Sequence, residues 1–120
     1  MGRRLKDNAV EVKSKEFAIR IVRLYQFLTT EKREFVMSKQ LLRSGTSIGA
    51  NVREGTQAFS KNDFIYKMSI ALKESNETCY WLEILRETDY LTDSQFKSLY
   101  DDSTELLRIL TSIVKTAKTP

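Results

Sequence analysis

Residues 92–117, TDSQFKSLYDDSTELLRILTSIVKTA, carry the clearest structural pattern in the chain. Apolar or small side chains recur there at intervals of three and four residues: Phe96, Leu99, Ser103, Leu106, Leu110, Ile113 and Ala117. That spacing places them on one face of an α-helix. Thr92 followed by Gln95 has the form of a capping box, in which each side chain bonds the other residue's backbone N–H. The stretch therefore predicts an amphipathic helix that begins just after Thr92.

Three further helices are predicted upstream, at about residues 13–28, 34–57 and 61–87. Ser60 is the expected N-cap of the third of these. The second has an apolar stripe that contains glycines: Leu41, Gly45, Ile48, Val52, Gly55 and Phe59. Glycine costs about 1 kcal/mol in a helix relative to alanine, so we expect Gly45 to permit close packing and Gly55 to mark the helix end.

The composition supports a wholly helical chain. Its 120 residues include only four glycines and one proline, which is the last residue. Little therefore interrupts long helices, and a chain of this length forms one domain. The pattern predicts an all-α, antiparallel up-down-up-down four-helix bundle over residues 13–118, preceded by a frayed segment at residues 1–12.

The chain contains no histidine and one cysteine, which excludes several kinds of active site. A histidine-based triad, a Cys/His zinc site and an internal disulfide all need residues that are absent. We therefore predict no catalytic residue, no metal ligand and no cofactor, and we expect Cys79 to pack in the core. The longest uncharged stretch, Ser44–Val52, is too short to span a bilayer, and the N-terminus lacks the apolar run of a signal peptide, so a cytoplasmic location is expected.

Charge is distributed unevenly along the chain, whose net charge is +4. Residues 1–53 contain 12 basic and 5 acidic side chains, whereas residues 54–120 contain 8 basic and 11 acidic ones. This asymmetry has two interpretations. It is typical of a surface that attracts phosphates, and it also arises when a basic helix pair packs against an acidic one.

One face of the second helix is polar in an unusual way. Five polar residues recur along it at helical spacing: Gln40, Ser44, Ser47, Asn51 and Glu54. A solvated face, or side chains bonded to neighbouring helices, is the general expectation for such a stripe. The alternative is a polar seam buried between subunits, since small serines permit close approach. We expect Asn51 and Glu54 to be partly buried and hydrogen-bonded.

The segment RLYQFLTTEKREFVMSKQLLRSGTSIGANVREGTQAFSKNDFIYKMSIALKESNETCYWLEIL, residues 23–85, closely resembles the four-helix-bundle proteins encoded in intervening sequences of bacterial 23S rRNA genes. The likeness is strongest over residues 40–55 and at Asp63, Phe64, Ala71 and Leu72. It implies an antiparallel bundle that assembles as a ring-shaped homopentamer, of unsettled function and without known catalysis. The accessory protein of diversity-generating retroelements, which binds a reverse transcriptase and RNA, is a related bundle.

The chain departs from that family's pattern at three positions. Leu42 stands where the family often has the first of two arginines, Gly49 where proline is common and Arg53 where alanine is common. The chain thus lacks one of the family's basic side chains and has another at a new position. Unlike proline, Gly49 retains its backbone N–H, which favours a straighter helix.

Two functional hypotheses follow. In the first, the chain is a nonenzymatic homo-oligomer that associates with RNA through basic side chains. The candidates are Arg20, Arg23, Lys32, Arg33, Lys39, Arg43 and Arg53. In the second, it is a protein-interaction scaffold in which the basic face or the Tyr80–Trp81 region docks a partner such as a reverse transcriptase. Apolar residues off the main stripes of the third and fourth helices suggest subunit contacts in either case.

Overall fold

Four α-helices make up nearly all of the computed structural model, which describes the backbone of residues 5–120 and the side chains of residues 9–120. They are α1 (Leu5–Thr30), α2 (Met37–Thr56), α3 (Lys61–Glu87) and α4 (Asp93–Lys118). The described residues form no strand. The predicted all-α class is therefore confirmed.

Short loops determine the arrangement of the helices. Residues 31–36, 57–60 and 88–92 are the only links between them, so each helix packs antiparallel against the next in sequence. Helix α1 also contacts α4, which closes the bundle, while α1 lies diagonally opposite α3 and α2 opposite α4. The extents of 47 × 20 × 19 Å fit helices of 20 to 27 residues, which are about 30 to 40 Å long at 1.5 Å per residue. This is the up-down-up-down bundle that the helical periodicity predicts.

The core consists of aliphatic side chains from all four helices. Among the largest fully buried side chains are Phe17, Ile21, Leu28, Leu41, Ile48, Met68, Leu82, Leu85, Leu106 and Leu110. Buried serines and threonines lie among them, and the Ser75 and Thr78 hydroxyls, for example, donate hydrogen bonds to carbonyl groups of their own helix. Cys79 is also buried, as expected, with its Sγ 3.0 Å from the Ser103 Oγ. Small, internally bonded polar residues let the helices approach without leaving a polar atom unpaired.

The ends of α3 and α4 follow their local capping signals. The Ser60 hydroxyl accepts a hydrogen bond from the backbone N–H of Asp63 at 3.0 Å. Thr92 and Gln95 form the complete capping box: each side chain accepts from the other residue's backbone N–H, at 3.1 and 2.9 Å. Both predicted starts are confirmed, because a cap depends only on residues three positions apart.

Helix α1 begins earlier than the sequence pattern predicts. It starts at Leu5 rather than near Lys13, so the expected fraying of residues 1–12 is wrong for residues 5–12, and residues 1–4 lie outside the described part of the chain. Val10 and Ser14 are fully buried and continue the stripe of Phe17 at helical spacing. Their packing gives the first turns the tertiary contacts that a charged segment needs to remain helical.

Helix α2 begins later than predicted, at Met37 instead of Glu34. Glu34 lies before the helix, and its carboxylate accepts hydrogen bonds from the first backbone N–H groups of α2.

At the other end of α2, the inclusion of Phe59 in the apolar stripe is wrong. Helix α2 ends at Thr56, and Phe59 lies in the following loop with its side chain fully exposed.

Glycine allows α1 and α2 to pack closely. A Cβ added to Gly45 would lie 2.8 Å from Cγ1 of Ile21, and one added to Gly49 would lie 3.2 Å from the carbonyl oxygen of Ser14. The first distance is shorter than any normal carbon–carbon contact. The predicted role of Gly45 is therefore confirmed, and Gly55 occupies the last turn of α2, as also expected.

Candidate functional site

The structure does not gather the seven basic candidates on one face. Arg20 lies between α1 and α4, where its guanidinium contacts the Asp102 carboxylate at 2.6 Å and the Ser98 hydroxyl at 2.8 Å. A second ion pair, between Lys13 and Glu105 at 3.3 Å, lies further along the same helix pair. Arg20 therefore links two helices of the bundle and is already paired with a carboxylate.

Arg43 is even more completely neutralised. One guanidinium nitrogen lies 2.8 Å from the Glu74 carboxylate, and another contacts Glu77. Glu77 also accepts a hydrogen bond from the Trp81 indole N–H at 3.0 Å. The hydrogen bond to Glu77 is the main cause that raises the pKa of Arg43. Two carboxylates around one guanidinium give a net negative group, which is poorly suited to bind phosphate.

Opposing effects determine the protonation of Glu77. Partial burial raises the pKa of its carboxyl group, but the Trp81 indole N–H and the Arg43 guanidinium more than offset that effect, and the pKa lies below its ordinary value. The network therefore stays charged at neutral pH and joins α2 to α3.

The five remaining candidates are exposed: Arg23, Lys32, Arg33, Lys39 and Arg53. Within residues 9–120, none of them forms an ion pair. Three of the five lie at one corner of the bundle, in the α1–α2 loop and the first turn of α2. Arg23 lies on α1, and Arg53 lines a groove between α1 and α2. The free cations are thus distributed among three places on the α1–α2 side.

The polar face of α2 turns towards α3. Ser44 is buried and accepts a hydrogen bond from the Thr78 hydroxyl at 3.0 Å. The Ser47 hydroxyl and the Asn51 amide are half-buried and donate to carbonyl groups one turn earlier in α2. Glu54 bonds Lys67 of α3 at 2.8 Å. These contacts match the general expectation of side chains bonded within the bundle.

Two members of the polar face are exposed, and for one of them, Glu54, burial was expected. Gln40 is exposed, and so is Glu54, whose side chain retains 59% of its accessible surface. The expected partial burial is therefore wrong for Glu54 and right for Asn51. Glu54 lies at the edge of the α2–α3 contact, where the long Lys67 side chain reaches it without covering it.

Two apolar surfaces remain uncovered. The α1 apolar surface consists of Val12, Ile19 and Val22, which are 57%, 51% and 39% exposed. The α3 aromatic surface consists of Tyr66 and Tyr80, which are 62% and 55% exposed. The sequence pattern indicated the tyrosines but missed most of the α1 surface. The α1 apolar surface is visible in the sequence as a helical spacing, seven residues from Val12 to Ile19 and three from Ile19 to Val22.

A groove of about 350 Å³ lies between α1 and α2, beside the α1 apolar surface. Small residues, Ala18, Gly49 and Ala50, line part of it, with Lys15 and Arg53 among the charged residues around them. A second hollow that shares Lys15 and Ala18 extends along α1 to Val22. Together they form a continuous, largely apolar concave surface.

Several other kinds of site lack support in the described residues. No group of three or more His, Cys, Asp or Glu side chains there could hold a metal ion. No helix in that part of the chain is long and apolar enough to cross a membrane. Burial raises the pKa of the Cys79 thiol, while the Ser103 hydroxyl lowers it to a lesser extent, so the thiol is kept protonated.

Comparison with known proteins places the chain in a family. No functionally curated protein matches it significantly. A solved structure matches with a TM-score of 0.91 and 62% sequence identity, over 92% of this chain and 99% of that one. That structure is a protein of unknown function from the S23 ribosomal protein family of Bacteroides thetaiotaomicron VPI-5482. The model of the 23S rRNA-intervening sequence protein family matches residues 6–112. The chain belongs to the 23S rRNA-intervening sequence protein family.

Proposed function

We propose that this protein is a nonenzymatic homopentamer that associates with RNA through its basic α1–α2 side. The observation that carries the assembly is the exposure of large apolar side chains on α1 and α3. Apolar surface left in water is a common sign of a protein interface. Since α1 and α3 are diagonally opposite, the two surfaces face away from each other and one partner copy cannot cover both.

Two different surfaces on opposite sides favour a head-to-tail contact. In such a contact the α1 apolar surface and the adjoining groove of one copy receive the α3 aromatic surface of the next. Head-to-tail contacts generate rings when the rotation closes. The number of five copies rests on the family resemblance.

RNA association is supported by the exposed cations of the α1–α2 side. Five of the seven basic candidates are exposed and free of ion pairs within residues 9–120, and three of these, Lys32, Arg33 and Lys39, lie away from the proposed subunit contact. Assembly multiplies this positive charge, and phosphate neutralisation by Lys and Arg supplies most non-specific nucleic-acid affinity. The family name, which refers to an intervening sequence of 23S rRNA, is consistent with an RNA context.

A protein-interaction scaffold is the second candidate. It is favoured by the Tyr80–Trp81 pair, whose rings meet edge to face with centroids 5.3 Å apart. Tyr80 is exposed and Trp81 is half-buried, and both residue types are enriched at protein interfaces. The proposed subunit contact accounts for the same pair, so the scaffold hypothesis becomes the better one only if the protein does not bind RNA.

Light scattering tests the assembly. Five copies of the 14.0 kDa chain should give a particle of about 70 kDa. Ile19→Asp places a charge in the α1 apolar surface and should yield smaller particles. Thr111→Asp, at an exposed position of α4, is the matched control and should leave the mass unchanged. A wild-type mass of a single chain at micromolar concentration would refute the proposal.

A salt titration tests the RNA association. The intact oligomer is mixed with labelled single-stranded and hairpin RNAs, and binding is followed by fluorescence anisotropy from about 50 to 300 mM salt. Binding should be strong at the low end and should weaken steeply as salt rises. No measurable binding at about 50 mM salt, where electrostatic attachment is strong, would reject RNA association and leave the scaffold candidate ahead.

A further inference from the structure

The α1–α2 corner combines free cations with exposed apolar side chains. We define this corner as Lys32, Arg33, Phe35, Val36 and Lys39. All three cations are exposed, as are Phe35 at 51% and Val36 at 74%. The Arg33 guanidinium lies 6.0 Å from the centroid of the Phe35 ring. A six-residue loop thus presents an aromatic ring beside positive charge.

Among the seven basic candidates, assembly would leave those of this corner free for a ligand. Arg20 and Arg43 are held by carboxylates. Arg23 and Arg53 line the hollows beside the α1 apolar surface, where a neighbouring copy would sit. Lys32, Arg33 and Lys39 lie instead at the end of the bundle, away from both proposed subunit contacts.

Acidic groups near the corner do not cancel its charge. The Glu34 carboxylate is buried against the backbone N–H groups of Val36, Met37 and Ser38, so it bonds backbone rather than the corner's cations. Glu31 is exposed and opposes one cation. At the same end of the bundle, Glu87 and Asp89 lie on the α3–α4 side. Counted with Glu31 and Glu34, the three cations leave the segment 31–39 with a formal charge of +1, from three positive and two negative side chains.

We propose that the α1–α2 corner binds single-stranded RNA, with Lys32, Arg33 and Lys39 neutralising phosphates and Phe35 stacking on a base. This inference rests on the proposed RNA association and specifies its location and its preferred strand state. An exposed ring can stack only on a base that is unpaired and turned outward, whereas a duplex keeps its bases stacked inside. Cations beside an aromatic platform are the usual means of binding single strands without sequence preference.

Cyclic assembly would strengthen this binding. In a ring with one rotational axis, equivalent corners lie on the same rim, so one strand can contact several of them. Linked contacts on one strand raise the apparent affinity well above that of a single corner. Affinity for oligouridine should therefore increase with length beyond the reach of one subunit.

Paired substitutions test the role of the aromatic ring. Phe35→Ala should weaken binding of the intact oligomer to a labelled oligouridine by about fivefold or more. Phe59→Ala removes an even more exposed phenylalanine from the loop at the opposite end of the bundle and should leave binding unchanged. Neither change should affect binding to a blunt-ended RNA duplex, which has no unpaired base. Phe35→Leu, which keeps apolar bulk but loses the ring, should behave like Phe35→Ala.

A matched charge test examines the cations. The triple variant Lys32→Gln, Arg33→Gln, Lys39→Gln should reduce the salt dependence of binding by about 0.7 in log–log slope for each phosphate that is no longer neutralised. The control changes three exposed lysines at the opposite end of the bundle: Lys61→Gln, Lys115→Gln, Lys118→Gln. It has the same net charge and should bind more tightly than the corner variant. Circular dichroism and light scattering should show that both variants fold and assemble.

The outcomes separate this inference from the proposed function. If the wild-type oligomer binds no RNA at low salt, RNA association itself fails and the corner proposal fails with it. If RNA binds but the corner variants match their controls, the corner proposal alone is overturned. Equal loss of duplex and oligouridine binding in Phe35→Ala would overturn the stacking role. Binding of polyglutamate as tight as that of oligouridine and insensitive to Phe35→Ala would indicate a site for acidic proteins and would also overturn it.

Discussion

Glu34 and Ser38 bond each other reciprocally at the start of α2. The Glu34 carboxylate accepts a hydrogen bond from the backbone N–H of Ser38 at 2.7 Å, and the Ser38 hydroxyl donates to the backbone carbonyl of Glu34 at 2.9 Å. The carboxylate also accepts from the N–H groups of Val36 and Met37. A residue outside the helix thus satisfies amides that a capping residue would otherwise bond, because Val36 occupies the N-cap position and has no suitable side chain.

We expect Glu34→Gln to destabilise the fold by about 1–2 kcal/mol at neutral pH, because the amide group removes one acceptor and the negative charge favoured at a helix N-terminus. Urea unfolding at pH 7 measures the loss. Glu31→Gln changes an exposed carboxylate in the same loop and should have little effect. Equal stability of the two variants would contradict the capping role.

The contribution of Glu34 should vanish in acid. Burial raises the pKa of its carboxyl group, but hydrogen bonds from Ser38, Met37 and Val36 together lower this pKa by more than burial raises it. The folded pKa therefore lies below the unfolded value. Such a group contributes its full stability above the unfolded pKa and loses it as pH falls through the folded pKa. The stability difference between the wild type and Glu34→Gln should therefore shrink between about pH 5 and pH 2.

Gly45→Ala should destabilise the protein by about 1–3 kcal/mol, despite alanine's better helix propensity, because the new methyl group would overlap the branched Ile21 side chain. A double-mutant cycle tests the cause. Ile21→Ala removes the overlapping atoms, so the double variant should be more stable than the sum of the single effects predicts. Additive effects in thermal unfolding would show that overlap with Ile21 is not the reason.

Arg33 adopts a left-handed backbone conformation, with φ of 55°. A residue other than glycine destabilises the folded state by about 1–2 kcal/mol in this conformation. Glycine avoids that cost but offsets part of the gain, because it raises the entropy of the unfolded chain. We therefore expect Arg33→Gly to be more stable than Arg33→Ala by about 0.5–1 kcal/mol, although both remove the same charge. At Lys32, where φ is not positive, the order should reverse. Thermal unfolding of the four variants provides the measurement.

The Tyr100 phenol should lose its proton at a higher pH than an ordinary tyrosine. Its hydroxyl donates a hydrogen bond to the Glu83 carboxylate at 2.8 Å, which together with burial raises the pKa of Tyr100 to about 12. Because the folded pKa is the higher one, the stabilisation is complete below the unfolded pKa of about 10 and is lost as pH rises towards 12. Ultraviolet titration should show one phenol fewer at high pH in Tyr100→Phe. In Glu83→Gln that phenol should titrate earlier; an unchanged curve would rule out the Glu83 interaction.

Local capping signals explain why some helix ends were predictable. The starts of α3 and α4 depend on Ser60 with Asp63 and on Thr92 with Gln95, which are pairs of near neighbours in sequence. The spacing of apolar residues predicts the start of α2 too early, at Glu34, because it does not distinguish a residue inside the helix from one just before it. The role of Glu34 depends on the loop before α2 folding back over the first amides. Periodicity does not encode that geometry.

The candidate site depends even more than the helix ends on contacts between residues that are distant in sequence. Sequence position marked Arg20 and Arg43 as members of a basic half, but their carboxylate partners are 82 and 31 residues away in the chain. Only helix packing brings those charges together and removes the two arginines from the free cations. Likewise, Val12 and Ile19 look like ordinary core candidates until α2 and α4 occupy the other sides of α1.

Helical spacing and capping residues in the sequence predict four amphipathic helices, short loops between them, and close packing of α2 against a neighbouring helix at Gly45. These features depend on helical spacing and local caps, which are properties of neighbouring residues. Only helix packing sets which cations are neutralised and which apolar side chains stay in water, as in the pairing of Arg20 with Asp102 and the exposure of Val12. Those outcomes depend on the rotation of each helix about its axis in the packed bundle, and this rotation is set by all four helices together.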